Sequence, residues 1–114
     1  MTKYTLRSSK RLDAQEISNL SHGLRKRYDI GDAQWHDDES LKKSGWYYPI
    51  KSRKELVLQD IEVIKEKGLV LLLAEKQVAK FMDKRKLRSF DILTNYSVEV
   101  IDSTSHGTGT GSAA

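Results

Sequence analysis

The run Leu69-Val70-Leu71-Leu72-Leu73-Ala74, apolar at every position, constrains this chain more than any other stretch. Such a run does not suit a half-buried strand, whose faces alternate. It reads as a central strand covered on both sides, with a buried helix segment as the competing reading in so short a stretch. The surrounding stretch from Asp60 to Tyr96 is then the part around which the fold is organised, and its charged breaks have the length of tight turns. The resulting expectation is a β-meander. Ile61, Val63 and Ile64 fall in a first strand, Lys65-Glu66-Lys67-Gly68 turns with Gly68 free to take positive φ, Leu69 to Ala74 returns, Glu75-Lys76 turns again, and Gln77 to Met82 forms a third strand.

Ahead of this stretch, Tyr4 and Leu6 alternate with Lys3, Thr5 and Arg7, as expected of a short strand at a sheet edge. Asp13 and Glu16 have the spacing of a capping box. Leu12, Ile17, Leu20, Leu24 and Tyr28 continue at helical spacing, with Arg25-Lys26-Arg27 in the last turn and Gly31 beyond it. Gly23 inside this helix implies close packing or a local irregularity. Residues 31–55 read as an irregular aromatic and basic loop, with Tyr48-Pro49 breaking any helix. Further on, Leu87 to Tyr96 suggests a short second helix capped by Ser89 with Phe90 and Leu93 on one face, and Ser97 to Ile101 an alternating strand. The expected fold is α+β: a single domain over residues 1–101, in which a small antiparallel sheet, the β-meander, is packed by one long and one short helix. The Gly/Ser/Thr-rich residues 102–114 read as a flexible tail.

The 114 residues leave room for one modest core. No segment approaches the roughly 20 apolar residues needed to span a bilayer, no secretory signal is visible, and there are no cysteines. A cytoplasmic location is expected. The net charge of +4 is unevenly spread. Residues 1–30 hold seven Lys/Arg against three Asp/Glu, the segment from Asp83 to Arg88 holds four against one, and residues 89–114 are net acidic by three. Two basic clusters that merge in the fold would suit a phosphate backbone; a plain solvated surface is the bland alternative.

Little points to catalysis. His22, His36 and His106 have no metal-ligand spacing, and His36-Asp37-Asp38 reads as a solvated acidic loop. The Gly107 to Gly111 run has no framing strand or helix, and no phosphate loop, dinucleotide fingerprint or nucleophile elbow is present. No enzyme activity, cofactor or metal is expected. Trp46, Tyr47 and Tyr48, interleaved with Lys42, Lys43, Lys51 and Arg53, combine stacking surfaces with phosphate neutralisers, unless the aromatics form a small core of their own under the loop. Lys84, Arg85 and Lys86, with Arg88, read as a turn presenting charge outward. Together with Lys3, Arg7, Lys10 and Arg11 these residues form the candidate RNA-binding set. Two rival readings are a winged-helix-like DNA-binding module, with the Lys84 to Lys86 turn as its wing, and a protein-interaction adaptor using the aromatic loop.

The order of elements, a helix after KYTLRSSK and then IEVIKEKGLVLLLAEKQVAKFMDKRKLRSFDIL, resembles the N-terminal module that precedes the PUA domain in archaeal PUA-domain proteins and related translation re-initiation factors. Ile61 and Val63 stand at that module's strand, Leu69 to Leu73 and Val78 to Phe81 at its hairpin, and Leu87 to Leu93 where its short helix begins. The resemblance covers residues 3–30 and 56–101. Arg88 stands in place of a proline, Glu75-Lys76-Gln77 lacks the usual hairpin glycine, the segment from Gly31 to Glu55 has the look of an insertion, and no PUA domain follows within the sequence. As a class, the resemblance implies association with ribosomal RNA and the small ribosomal subunit during translation, with ribosomal proteins as further partners.

Overall fold

Strand β1 (Thr2–Ser8) alternates as its sequence requires, burying Leu6 and Ser8 while Lys3 stays exposed. It lies inside the sheet, not at its edge. In the computed structural model, which describes residues 2–38 and 43–101, β1 pairs antiparallel with both β4 (Lys43–Ser52) and β5 (Val70–Ala74). Short β2 (Tyr28–Ile30) and β3 (Gln34–Asp38) share the far edge of β4. Beyond β5, β6 (Val98–Ile101) runs parallel to it. The sheet is therefore mixed, in the order β2-β4-β1-β5-β6, with β3 also on β4.

The stretch read as a meander keeps its central strand and exchanges the flanking ones for helices. Ile61, Val63 and Ile64 lie in α2 (Leu58–Glu66), and Gln77 to Met82 in α3 (Glu75–Arg85). Over six residues alternation and helical spacing look alike. Extended upstream, Leu58, Ile61 and Ile64 recur every third residue; downstream, Val78, Phe81 and Met82 follow the i, i+3, i+4 rule. The elements onto which Ile61 with Val63, and Val78 to Phe81, were mapped in the pre-PUA resemblance are thus helical here. Gly68 does take positive φ, 74°, but as a helix terminator: its N–H bonds to Lys65 O and that of Leu69 to Ile64 O, the paired bonds of a Schellman motif.

The other two long helices stop in the same way without glycine. Helix α1 (Ala14–Gly23) opens with the expected Asp13–Glu16 capping box and ends before the basic triplet, with Arg25 at φ 57° and Lys26 at φ 53°. Lys86 holds φ 57° after α3. The short α4 (Asp91–Thr94) is narrower than Leu87 to Tyr96, although the Ser89 hydroxyl does accept the Asp91 N–H at 3.1 Å. It buries Leu93, while Phe90 points outward.

Helix residues Leu20, Ile61, Ile64, Val78, Phe81 and Leu93, with Leu24 just after α1, join one core with Leu6, Tyr48, Ile50, Leu71, Leu73 and Val98. These strand residues share one face, since Leu6 stands opposite both Tyr48 and Leu71, and Leu71 opposite Val98. Gly23 is where α1 meets α2, because a Cβ there would lie 2.8 Å from Val63 Cγ1. A buried carboxylate ties the same region together. Asp60, 1% exposed, accepts from Tyr28 Oη at 2.8 Å and faces the Arg25 and Arg27 guanidinium groups at 3.4 Å. Burial, and next the hydrogen bond to Asp60, push the Tyr28 phenol far above its ordinary value, so the hydroxyl remains a donor.

Among the described residues no helix covers the opposite face, yet Leu72 is buried there as well. Arg7 on β1 and Glu99 on β6 flank β5, and their two hydrogen bonds, 2.9 and 3.0 Å, arch across it over Leu72, whose register partners are Thr5 and Glu99. This arch explains how the apolar run is covered on both sides with helices on only one.

Candidate nucleic-acid interface

The described residues of 31–55 are mostly strand and not the irregular loop expected. Gln34 to Asp38 and Lys43 to Tyr47 pair as a hairpin, and β4 continues to Ser52 as a register partner of β1. Two regions with aromatic and basic residues result, one at each end of the sheet. Lys3 and Ser8 mark those ends, about 17 Å apart along β1 at roughly 3.3 Å per residue. The N-terminal basic cluster is thereby divided.

At the hairpin end most of the predicted residues are engaged with protein groups. The Arg7 guanidinium, 10% exposed, forks onto Glu99, which together with that hydrogen bonding raises the Arg7 pKa. Lys10 pairs with Glu16 at 2.6 Å, and this bond lowers the Glu16 pKa and raises that of Lys10. Arg11 lies over the Trp46 ring at 5.4 Å, and Trp46 meets Trp35 edge to face at 5.6 Å. Tyr48 is a core residue whose hydroxyl accepts the Leu12 N–H at 2.6 Å, and Tyr47 lies edge to face with His36. Trp35 is the exposed aromatic here. Nothing in the sequence reading singled it out, although the strand pairing that sets it opposite Trp46 would have. Lys42, and the side chain of Lys43, lie outside what the structure describes.

The α3 end gathers cations from three separate segments. Lys3 stands directly opposite Lys51, with Asp29 on the far side of Lys51, and Arg53 follows on the turn into α2; Lys3, Lys51 and Arg53 are exposed. Gln77 fastens α3 to this corner: its amide carbonyl accepts the Ala74 N–H at 2.9 Å and its amide nitrogen donates to Lys3 O at 3.0 Å. Lys76, Lys80 and Lys84 then follow at intervals of four along α3, one stripe on the helix surface. Lys84 pairs with Glu55, which holds that carboxyl below its ordinary value, and Arg85 donates to Leu56 O at 3.2 Å while lying over Phe81 at 5.6 Å. Lys86 and Arg88 are exposed beyond the helix.

Lys84 and Arg85 thus belong to a helix and not to a turn between strands, so the wing of the DNA-binding reading is absent. The stripe was hidden by the same misassignment, because Lys80 appears aligned with Lys84 only once residues 75–85 are helical. Between α3 and the sheet lies a half-open cavity of about 80 Å³ with Tyr4, Leu56 and Phe81 among its walls and Lys80, Lys84 and Arg85 around it. Burial raises the Tyr4 phenol above its ordinary value, so it is neutral and a donor. Among the described residues no group of His, Asp or Glu side chains is placed to hold a metal ion, and no helix is long and apolar enough to cross a membrane. No protein-family model matches the chain, and neither a curated protein nor a solved structure does.

Proposed function

We propose that the protein is a cytoplasmic RNA-binding protein of the translation apparatus that contacts ribosomal RNA with the α3 end of its sheet. The carrying observation is the Lys76, Lys80, Lys84 stripe beside Lys3 and Lys51. Like charges four residues apart on a helix, and directly opposite across strands, each destabilise the fold by a few tenths of a kcal/mol. A polyanion lying across them converts that repulsion into binding. The choice of ribosomal RNA over DNA rests on the pre-PUA resemblance, of which the first helix and the Leu69 to Leu73 strand keep their expected form while Ile61, Val63 and Val78 to Phe81 do not.

The test is fluorescence anisotropy with a labelled single-stranded RNA between 50 and 200 mM salt. Four neutralised phosphates give a slope of log K against log salt near −3, by about −0.7 per contact on a single strand. Sedimentation from cell lysate at low and high salt, with and without nuclease, tests the ribosomal part. Migration with a subunit that is lost in high salt is expected. A protein that stays at the top of every gradient removes the ribosome from the reading, and a flat salt dependence removes RNA.

A further inference from the structure

Resting on the RNA reading, we infer that the cavity beneath α3 seats one unstacked nucleobase, so that the protein selects single-stranded RNA over duplex. Its walls are apolar and aromatic, from Tyr4, Leu56 and Phe81, and its rim carries Lys80, Lys84 and Arg85 together with Glu55, which is paired to Lys84, so the rim is net cationic. A nucleotide is the occupant with the complementary chemistry: a flat apolar ring face attached to a phosphate. At about 80 Å³ the half-open cavity is smaller than the ~150 Å³ that encloses a benzene, so it takes the edge of one ring and leaves the rest of the base in its mouth. A base inside a duplex is stacked on both faces and cannot enter, whereas a splayed base reaches an aromatic wall.

The polar groups fit a seat with little base preference. The Gln77 amide is fully used between Ala74 N–H and Lys3 O, so it reads nothing. The Tyr4 hydroxyl, kept neutral by burial, and the Lys80 ammonium group remain at the cavity, while Lys84 is shared with Glu55. These groups recognise an acceptor edge and a phosphate, not one particular base.

The experiment compares the affinity of the full chain for a short single-stranded RNA, for the same strand carrying an abasic site at each position in turn, and for its duplex, all at one salt concentration. One abasic position should weaken binding roughly tenfold, the scale of losing one stacked base, and the duplex should bind more weakly than the intact strand. A 5-bromouridine at that position should photocrosslink to Tyr4 or Phe81. Phe81→Leu keeps an apolar side chain and removes the ring; it should abolish the abasic difference while leaving the salt slope unchanged. Equal affinity for all three RNAs, or crosslinks confined to Trp35 and Trp46, overturns the seat and leaves RNA binding standing. Absence of binding to any of the RNAs overturns both.

Discussion

At the hairpin end Arg7, Lys10 and Arg11 each rest on a protein group, Glu99, Glu16 and the Trp46 ring, whereas at the α3 end Lys84 and Arg85 are engaged but Lys3, Lys51, Lys76 and Lys80 have no ion pair among the described residues. The residue types are similar and their roles differ. A cation that already has a protein partner would have to give it up to bind a phosphate, so proximity to aromatics in the sequence does not by itself mark a surface open to phosphate. The informative feature is a set of like charges held together with too few counter-ions nearby. By that measure the proposed interface is placed at the α3 end.

The sharpest way to break this contrast is to remove Arg7. Its truncation to Ala removes two charge-assisted hydrogen bonds and uncovers Leu72, so a loss of about 2 kcal/mol is expected, or roughly 8 to 16 °C in melting temperature for a domain of this size. Thermal denaturation checks it. A fully stable variant that binds RNA less well would place Arg7 on the interface after all. Next in size, the Lys80→Ala, Lys84→Ala double variant should fold normally, bind RNA about tenfold more weakly and lower the salt slope by about 1.4, or 0.7 for each lost phosphate contact. The matching Lys10→Ala, Arg11→Ala variant should leave both readings nearly unchanged. If the two pairs behaved alike, the difference between the ends would be lost.

A smaller effect separates core from contact surface at Tyr48. Replacing it by Phe removes only the hydroxyl that accepts the Leu12 N–H, which should lower stability by about 1 kcal/mol with RNA affinity unchanged. Denaturant titration and anisotropy together decide it.

The reach of sequence reasoning follows the same division. The start of helix α1 was legible because its capping box, its apolar face and its packing glycine agree, but its end was not: Arg25 and Lys26 leave the helix and Tyr28, expected on its apolar face, lies in β2. The apolar run of β5 was legible because no other environment suits it. The flanking helices were not, since each offers a short apolar pattern that alternation also fits, and Gly68 after a charged triplet marks a helix end as readily as a hairpin turn. Only tertiary contact, with Leu56 and Tyr4 receiving Phe81 and with Asp60 held by Tyr28, selects the helical alternative. The aromatic segment was misread because Pro49 suggested a break, yet its ring stands in β4 opposite Thr5, and Gly31 N–H bonds to its carbonyl at 2.7 Å. The site inherited these errors: Lys80, Tyr4 and Phe81 become neighbours only when α3 is a helix.

The smallest effect carries the clearest sign. Lys3 faces Lys51 across β1 and β4, a like-charge pair that the fold alone would not choose. Lys3→Glu turns it into an opposite-charge pair and adds a negative group near the N-terminus of α3, where Gln77 already reaches Lys3 O. Both changes favour the folded state, together by about 0.5 to 1 kcal/mol. The same substitution removes one phosphate contact and sets a repulsive charge beside the stripe, so RNA affinity should fall. Stability and binding therefore move in opposite directions in one variant, which is expected only if the charge is kept for a ligand. A variant that gained stability and kept full affinity would show that Lys3 lies off the path of the RNA and would confine the interface to α3.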